Sequence, residues 1–277
     1  MITKKKCRHG NFTFFDNDII IGKSMAVYGE YCEWEIMCLD HIIESDWHIA
    51  DIGANIGTHT VPFTKFAHKG HVHAFEPNEY SRGLLERNLL DNKVTNATVF
   101  PYALSRSAGE RYLSNYNPQK PGNYGESSLN SSSEYMSLVP TMRLDQIQFE
   151  RLDLIKCDVE GEELDVFKGA KHTLAKHLPT CFIECNTETH LAPLWDRFTK
   201  LGYHKFYWCP VRNYNPDNYN NYEKNIFGTS GVINILILSP KLKVKFDYLE
   251  PVTDREDTYK KMYDRVSVDQ INKNKLI

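Results

Sequence analysis

Trp47-His-Ile-Ala-Asp51-Ile-Gly53-Ala-Asn55-Ile-Gly57-Thr58-His-Thr60 is the stretch around which the chain is organised. Its first half reads as a short buried strand, with Ile49, Ala50 and Ile52 bounded by polar residues. Its second half carries two glycines four apart and runs into Val61, Phe63, Phe66 and Ala67, a spacing that suits a helix. A strand that breaks at glycine and restarts as a helix brings backbone N–H groups against a ligand, because glycine permits both the tight turn and the close approach.

Two cofactors suit such a turn. A dinucleotide needs G-x-G-x-x-G, and here Asn55 replaces the middle glycine and the spacing differs. A pyrophosphate is also a poor neighbour for Asp51. S-adenosylmethionine carries a sulfonium and an ammonium, so an acid at that point attracts it. Nineteen residues after Gly57, a second apolar segment, His71-Val-His-Ala-Phe-Glu76-Pro77-Asn78, ends in Glu76. A carboxylate at the tip of the neighbouring strand is placed to accept both ribose hydroxyls. The plain alternative is a strand–turn–helix with a solvated glutamate. The pair of acids favours S-adenosylmethionine.

Composition sets bounds on the rest. The 277 residues suffice for one full core with an extra lobe or tail, and 41% hydrophobic with 25% charged residues is ordinary for a globular protein. A net charge of −3 gives no electrostatic reason for a nucleic-acid partner, and Lys4-Lys5-Lys6 is the one dense basic run. Seven scattered cysteines without C-x-x-C predict reduced thiols, and Cys181 and Cys185 straddle a predicted strand. That usage predicts a cytoplasmic protein. No apolar stretch follows the basic N-terminus as in a signal peptide, and Val232–Leu238 is too short to span a bilayer, so no membrane partner is expected. A homo-oligomer is compatible with the sequence.

From residue 47 onward, strands and helices alternate with parallel-sheet rhythm. Strands are predicted at 48–53, 71–76, 97–103, 152–158, 180–185, 203–209 and 232–239, and helices at 58–68, 78–91, 162–177 and 188–201. Seven strands with the last two joined without a helix predict an α/β architecture: a doubly wound sheet with one antiparallel strand and helices on both faces. Ligands of such sheets lie beyond the carboxyl ends of the strands, which gathers Asp51, Glu76, Ala103, Asp158 and Glu184 around one cleft. Residues 1–46 are expected to form a hairpin, using Phe12, Phe14 and Ile19–Ile21, and a covering helix over 29–44. Tyr28, Glu30 and Glu35 there either touch ligand or belong to an amphipathic cover. Residues 47–240 form the predicted catalytic domain, and 241–277 a charged tail or helix.

Two polar insertions, 114–137 and 212–230, follow strand ends and are candidate lids. The second is rich in Tyr and Asn, groups that stack on and hydrogen-bond a polyhydroxylated ligand, or that drift in sequence on a bare surface.

The remaining concentrated signal is Leu152-Asp-Leu-Ile-Lys156-Cys157-Asp158-Val159-Glu160-Gly161-Glu162-Glu163-Leu164, a strand ending in a cluster of acids. Helix capping accounts for Glu162 and Glu163, and less well for Asp158 at the strand tip. With these residues in view the sequence resembles the FkbM family of S-adenosylmethionine-dependent methyltransferases. The resemblance runs over residues 28 to 240, through Asp51-Ile-Gly-Ala-Asn-Ile-Gly57, Phe75-Glu76-Pro77-Asn78, Leu144-Asp145, Ile155-Lys-Cys-Asp158-Val-Glu160-Gly161-Glu-Glu163, Lys168-Gly169-Ala170 and Ile183-Glu184. Cys157 stands where the family is usually apolar. The resemblance implies a Rossmann-like class I methyltransferase fold and O-methylation of small molecules or sugars.

Methyl transfer is an in-line displacement in which alignment and desolvation matter most, and a hydroxyl needs help to lose its proton. Asp51, Gly53, Asn55, Gly57, Thr58, Glu76 and Asn78 are the candidate cofactor residues, with the backbone of Ala103 near the adenine. Asp158 is the first candidate base, followed by Glu184 and His190. A divalent ion on Asp158, Glu184 and Asn186 is the less favoured alternative to direct hydrogen bonding of the substrate. His59, His68, His71 and His73 lack zinc spacing and read as structural. A sugar hydroxyl, free, nucleotide-linked or in a glycan, is the preferred acceptor. A macrolide-like metabolite comes second, and a non-catalytic protein of the same fold is a third reading.

Overall fold

His48–Ile52 is the strand in the middle of the molecule. The computed structural model describes residues 1–129, 134–186, 191–244 and 246–265. In chain order the strands and helices are β1 (Ile2–Cys7), β2 (Gly10–Phe15), α1 (Ile21–Val27), α2 (Glu33–Asp40), β3 (His48–Ile52), α3 (Thr60–Phe66), β4 (His71–Phe75), α4 (Glu79–Asp91), β5 (Ala97–Phe100), β6 (Ala103–Leu104), β7 (Gly109–Ser114), β8 (Met136–Met142), β9 (Leu154–Cys157), α5 (Glu163–Lys168), α6 (Lys171–His177), β10 (Thr180–Glu184), α7 (Leu191–Thr199), β11 (Phe206–Arg212), β12 (Gly231–Ile237), β13 (Glu250–Pro251) and α8 (Tyr259–Arg265).

The main sheet runs β13-β11-β12-β10-β9-β3-β4-β5. Strands β5, β4, β3, β9 and β10 are mutually parallel, and β12 is inserted antiparallel between β10 and β11. This is the doubly wound α/β body expected, with one addition: the two-residue β13 pairs antiparallel with β11, making eight strands. Phe167, Phe182, Phe198 and Trp208 are buried in the larger core. Each fully buried side chain of that size contributes about 1.5–3 kcal/mol.

The β1–β2 hairpin turns at Arg8–His9, whereas Ile21, expected in it, opens α1 instead. A second core of Phe12, Phe14, Met25, Ile56, Val61 and Leu85 seals the hairpin to the body. Asn88 of α4, fully buried, accepts from Thr13 N at 2.7 Å and donates to Thr13 O and Ile56 O. One amide thus ties the hairpin to the turn after β3.

Other boundaries moved for identifiable reasons. Strand β11 reaches Arg212 although Pro210 lies inside it, because β13 pairs only with Tyr207 and Trp208 and asks no N–H donor of the proline. A proline also hides β8, where Pro140 faces Glu110, and a separate sheet β6-β8-β7, for which the sequence predicted no β7 or β8, flanks the first insertion. The helix predicted over 162–177 is two helices, split at Gly169, where a Cβ would sit 2.2 Å from Ser105 O. The described part of the C-terminal segment packs on the sheet edge through Phe246, Leu249, Val252 and Met262. Among the described residues no helix is long and apolar enough to cross a membrane.

Candidate active site

A cleft opens to solvent at the carboxyl ends of β3, β4 and β9. Its floor begins with the turn after β3. Gly53 has φ +78, and a Cβ there would lie 1.8 Å from Asp158 O, so only glycine lets the tips of β3 and β9 meet. Asn55 is left-handed (φ 49), a conformation asparagine tolerates, and its side chain accepts from Ile56 N at 2.8 Å.

The five amides from Gly53 to Gly57 do not present bare N–H groups to a ligand, contrary to the sequence expectation. Gly53 N and Ala54 N donate to Phe75 O, Asn55 N to Glu76, Ile56 N to Asn55 Oδ1, and Gly57 N to Ala54 O. The turn is closed on itself, and its hydrogen bonds aim Glu76. That carboxylate accepts from Asn55 N at 2.8 Å through Oε2 and from Asn78 N at 2.7 Å through Oε1. Each oxygen retains a lone pair, and the side chain lines the cleft, so a vicinal diol fits it. Burial raises its pKa to about 7 against the opposing pull of the two backbone donors.

Asn55, Thr58, Asn78 and Ala103 line the same cleft. Asn78 also caps α4, accepting from Tyr80 N and Ser81 N, and its amide donates to Asn115 Oδ1 and Ser127 Oγ. Two expected cofactor residues lie elsewhere. Asp51 is fully buried beneath the cleft, where it accepts from Thr60 Oγ1 at 2.6 Å and faces Lys156 Nζ at 3.8 Å. Gly57 packs under α4, where a Cβ would lie 2.7 Å from Leu85 Cδ1. Neither is among the residues lining the cleft. They support the turn from below, because the sheet places position 51 between β4 and β9.

The far end of the cleft is acidic. Asp158, Glu160 and Glu184 bring carboxylate oxygens within 4.8 Å of one another, the one such group among the described residues. Burial first, then the neighbouring carboxylates, raises the pKa of Glu160 and of Glu184. Glu160 is left-handed (φ 53), which turns it into the cleft beside Asp158. Glu184 sits behind the wall and accepts from Asn186 Nδ2 at 2.5 Å, while Asn186 Oδ1 accepts from Ile233 N. Asn186 is therefore spent on β12 and is a poor candidate for an ion. Glu162 and Glu163 are structural: Glu162 forms a bidentate pair with Arg111, and Glu163 accepts from Val159 N and Gly161 N. His190 lies outside the described residues.

Sequence reasoning missed Lys156 and Tyr31. Lys156 lines the cleft at only 3% exposure, 3.3 Å from both Gly53 O and Asp158 Oδ2. Its signal was a lysine inside an apolar strand, Leu154-Ile-Lys-Cys, which requires a buried anion beside it. Tyr31 closes the cleft from the N-terminal segment, and Tyr124 with Ser127 closes it from the first insertion. Ser128 Oγ of that insertion donates to Glu160 O, so the insertion spans from Asn78 to the acidic end.

The Tyr/Asn insertion takes no part in the cleft. Tyr28 donates to Lys224 O and accepts from Ile226 N, and Glu30 accepts from Arg8, Asn215 and Tyr219 N. Tyr28 and Glu30 therefore anchor residues 215–226 to the N-terminal segment and are not ligand contacts. Glu35 is likewise engaged, with Asn234 Nδ2 and with His59 Nε2 at 2.9 Å. The sequence placed these groups near the mouth but had no means of pairing them.

A family model described as the methyltransferase FkbM domain matches residues 51–205. The chain is 31% identical over 137 residues to the hexuronic acid methyltransferase AglP of Haloferax volcanii, covering 47% of this chain and 53% of that protein. It is 29% identical over 146 residues to methyltransferase 1 of Beauveria bassiana, covering 45% and 58%. A solved structure of an FkbM methyltransferase from Methylobacillus flagellatus has a TM-score of 0.47 at 18% identity, covering 70% of this chain and 44% of that one. The chain thus spans a little over half the length of the curated relatives it matches. With more than half of its residues matched by the family model, this protein belongs to the FkbM methyltransferase family.

Proposed function

We propose that this protein is an S-adenosylmethionine-dependent O-methyltransferase acting on a hydroxyl of a sugar. The observation that carries the reading is the placement of two differently held carboxylates along one cleft. Glu76, fixed by two backbone donors, suits the ribose diol; Asp158, at the other end, suits a hydroxyl proton. The residues that line the cleft fit the cofactor: a diol acceptor at Glu76, and Tyr102, Ala103 and Asn78 around the place an adenine ring would take.

Bound S-adenosylmethionine would supply an electrophilic methyl group on its sulfonium, with the neutral thioether of S-adenosylhomocysteine as the leaving group. Asp158, which lines the cleft, is the group that would accept the acceptor's hydroxyl proton. Lys156 stays protonated, since Asp158, Asp51 and Glu35 raise its pKa above the ordinary lysine value against the cost of burial, and it donates to Asp158. Burial and the neighbouring carboxylates raise the pKa of Glu184, which favours its protonated form beside Asp158. Tyr31, Tyr124 and Ser127 wall the cleft, and an acceptor seated between them would displace water from it.

The sugar preference rests on the cleft's own hydroxyl and carboxylate lining and on the similarity to a protein named for hexuronic acid. It does not rest on the Tyr/Asn insertion. Calorimetric titration with S-adenosylmethionine and S-adenosylhomocysteine, for wild type and Glu76→Ala, tests the first half. Labelled methyl transfer to free sugars, nucleotide sugars and glycans tests the second. Binding lost in the variant supports the reading; no binding of either ligand by wild type sinks it.

A further inference from the structure

Lys156 is the one lysine or arginine among the described residues lining the cleft, and it is nearly inaccessible. It stands on β9 in register with Asp51 of β3, so both side chains project from the same face of the sheet into the space under the cleft. Its Nζ donates to Gly53 O and to Asp158 Oδ2, each at 3.3 Å, and lies 3.8 Å from Asp51 Oδ1. Thr60 of α3 donates to the other Asp51 oxygen. A polar chain therefore runs Thr60–Asp51–Lys156–Asp158, crossing from the helix after the cofactor turn to the tip of β9.

An ammonium in such a position is costly to desolvate, and a methionine would fill the same space without that cost. What a methionine would lack is a simultaneous hold on the cofactor turn, through Gly53 O, and on the acceptor-side carboxylate, through Asp158. A protonated lysine cannot itself take the substrate proton, so its contribution is geometric and electrostatic.

We propose that Lys156 is a positioning residue that locks the Asp158 carboxylate in register with the cofactor turn, so that the proton acceptor and the methyl donor share one alignment. This rests on the O-methyltransferase reading above. Alignment of the reacting groups is a property of the transition state, and its loss falls on turnover more than on binding.

The test compares wild type, Lys156→Met and Lys156→Arg for S-adenosylmethionine affinity by calorimetry, and for acceptor KM and kcat by labelled methyl transfer. In Lys156→Met the cofactor Kd and acceptor KM are expected to stay within about threefold while kcat falls roughly 100-fold, and the arginine is expected to recover about tenfold of that loss. Should Lys156→Met not fold, the Asp51→Asn/Lys156→Met pair, which removes the orphaned charge, is read against Asp51→Asn alone. A folded methionine variant with wild-type kcat overturns the inference. So does a loss of kcat matched by an equal loss of cofactor affinity, which marks Lys156 as a support of the fold or of the cofactor. A wild-type protein that binds cofactor but methylates no acceptor overturns this inference together with the reading beneath it, whereas the first two outcomes leave that reading standing.

Discussion

Asn55 and Glu76, twenty-one positions apart, are joined by a 2.8 Å hydrogen bond from the backbone N–H of a left-handed asparagine to a buried carboxylate. The bond converts the turn after β3 from a ligand cradle into a support for the residue at the tip of β4. It also fixes how cofactor binding should depend on pH. Glu76 has a pKa near 7 because of burial, and two ligand hydroxyls donate best to its ionised form. Binding therefore favours loss of the proton. Affinity for S-adenosylmethionine is expected to rise with pH through about 7 and level off above, weakening by up to about tenfold per unit below. Calorimetry between pH 5.5 and 8.5 checks this, and Glu76→Gln should bind at least about tenfold more weakly with a flat profile.

Gly53 is the position where the backbone can least tolerate a side chain. At φ +78, with a Cβ aimed 1.8 Å from Asp158 O, Gly53→Ala must spread β3 from β9. A cost of about 2–4 kcal/mol is expected, from the left-handed strain and the clash together. Urea unfolding measures it, and an undiminished midpoint would refute the packing argument.

Glu30 separates the two insertions experimentally. It is buried and accepts from Arg8, Asn215 and Tyr219 N, so Glu30→Ala leaves several donors without their acceptor and should cost about 2–4 kcal/mol. Limited proteolysis should then cut first within 215–226. Affinity for S-adenosylmethionine is expected to hold, because no residue of that segment lines the cleft.

The acidic trio distinguishes direct hydrogen bonding from metal assistance. With Asn186 engaged by Glu184 and Ile233, and Lys156 beside Asp158, the direct reading predicts the same methyl-transfer rate in EDTA as in magnesium or manganese. Loss of the rate in chelator with recovery on adding the ion would favour the metal.

The sequence alone settled the order of the seven strands β3, β4, β5, β9, β10, β11 and β12 of the main sheet, the breaks at Gly53 and Gly161, and the placing of Glu76 and Asp158 at strand tips. Those features are local: a strand needs its own apolar run, and a turn its own glycine. Tertiary structure decided which polar groups meet. Asp51 went beneath the cleft because β3 lies between β4 and β9, and Lys156 found it across that register. Tyr28 and Glu30 turned away from the cleft because residues 215–226 return to them from nearly two hundred positions along the chain. A carboxylate's role depends on the donors that surround it, and in a doubly wound sheet those donors come from strands distant in sequence.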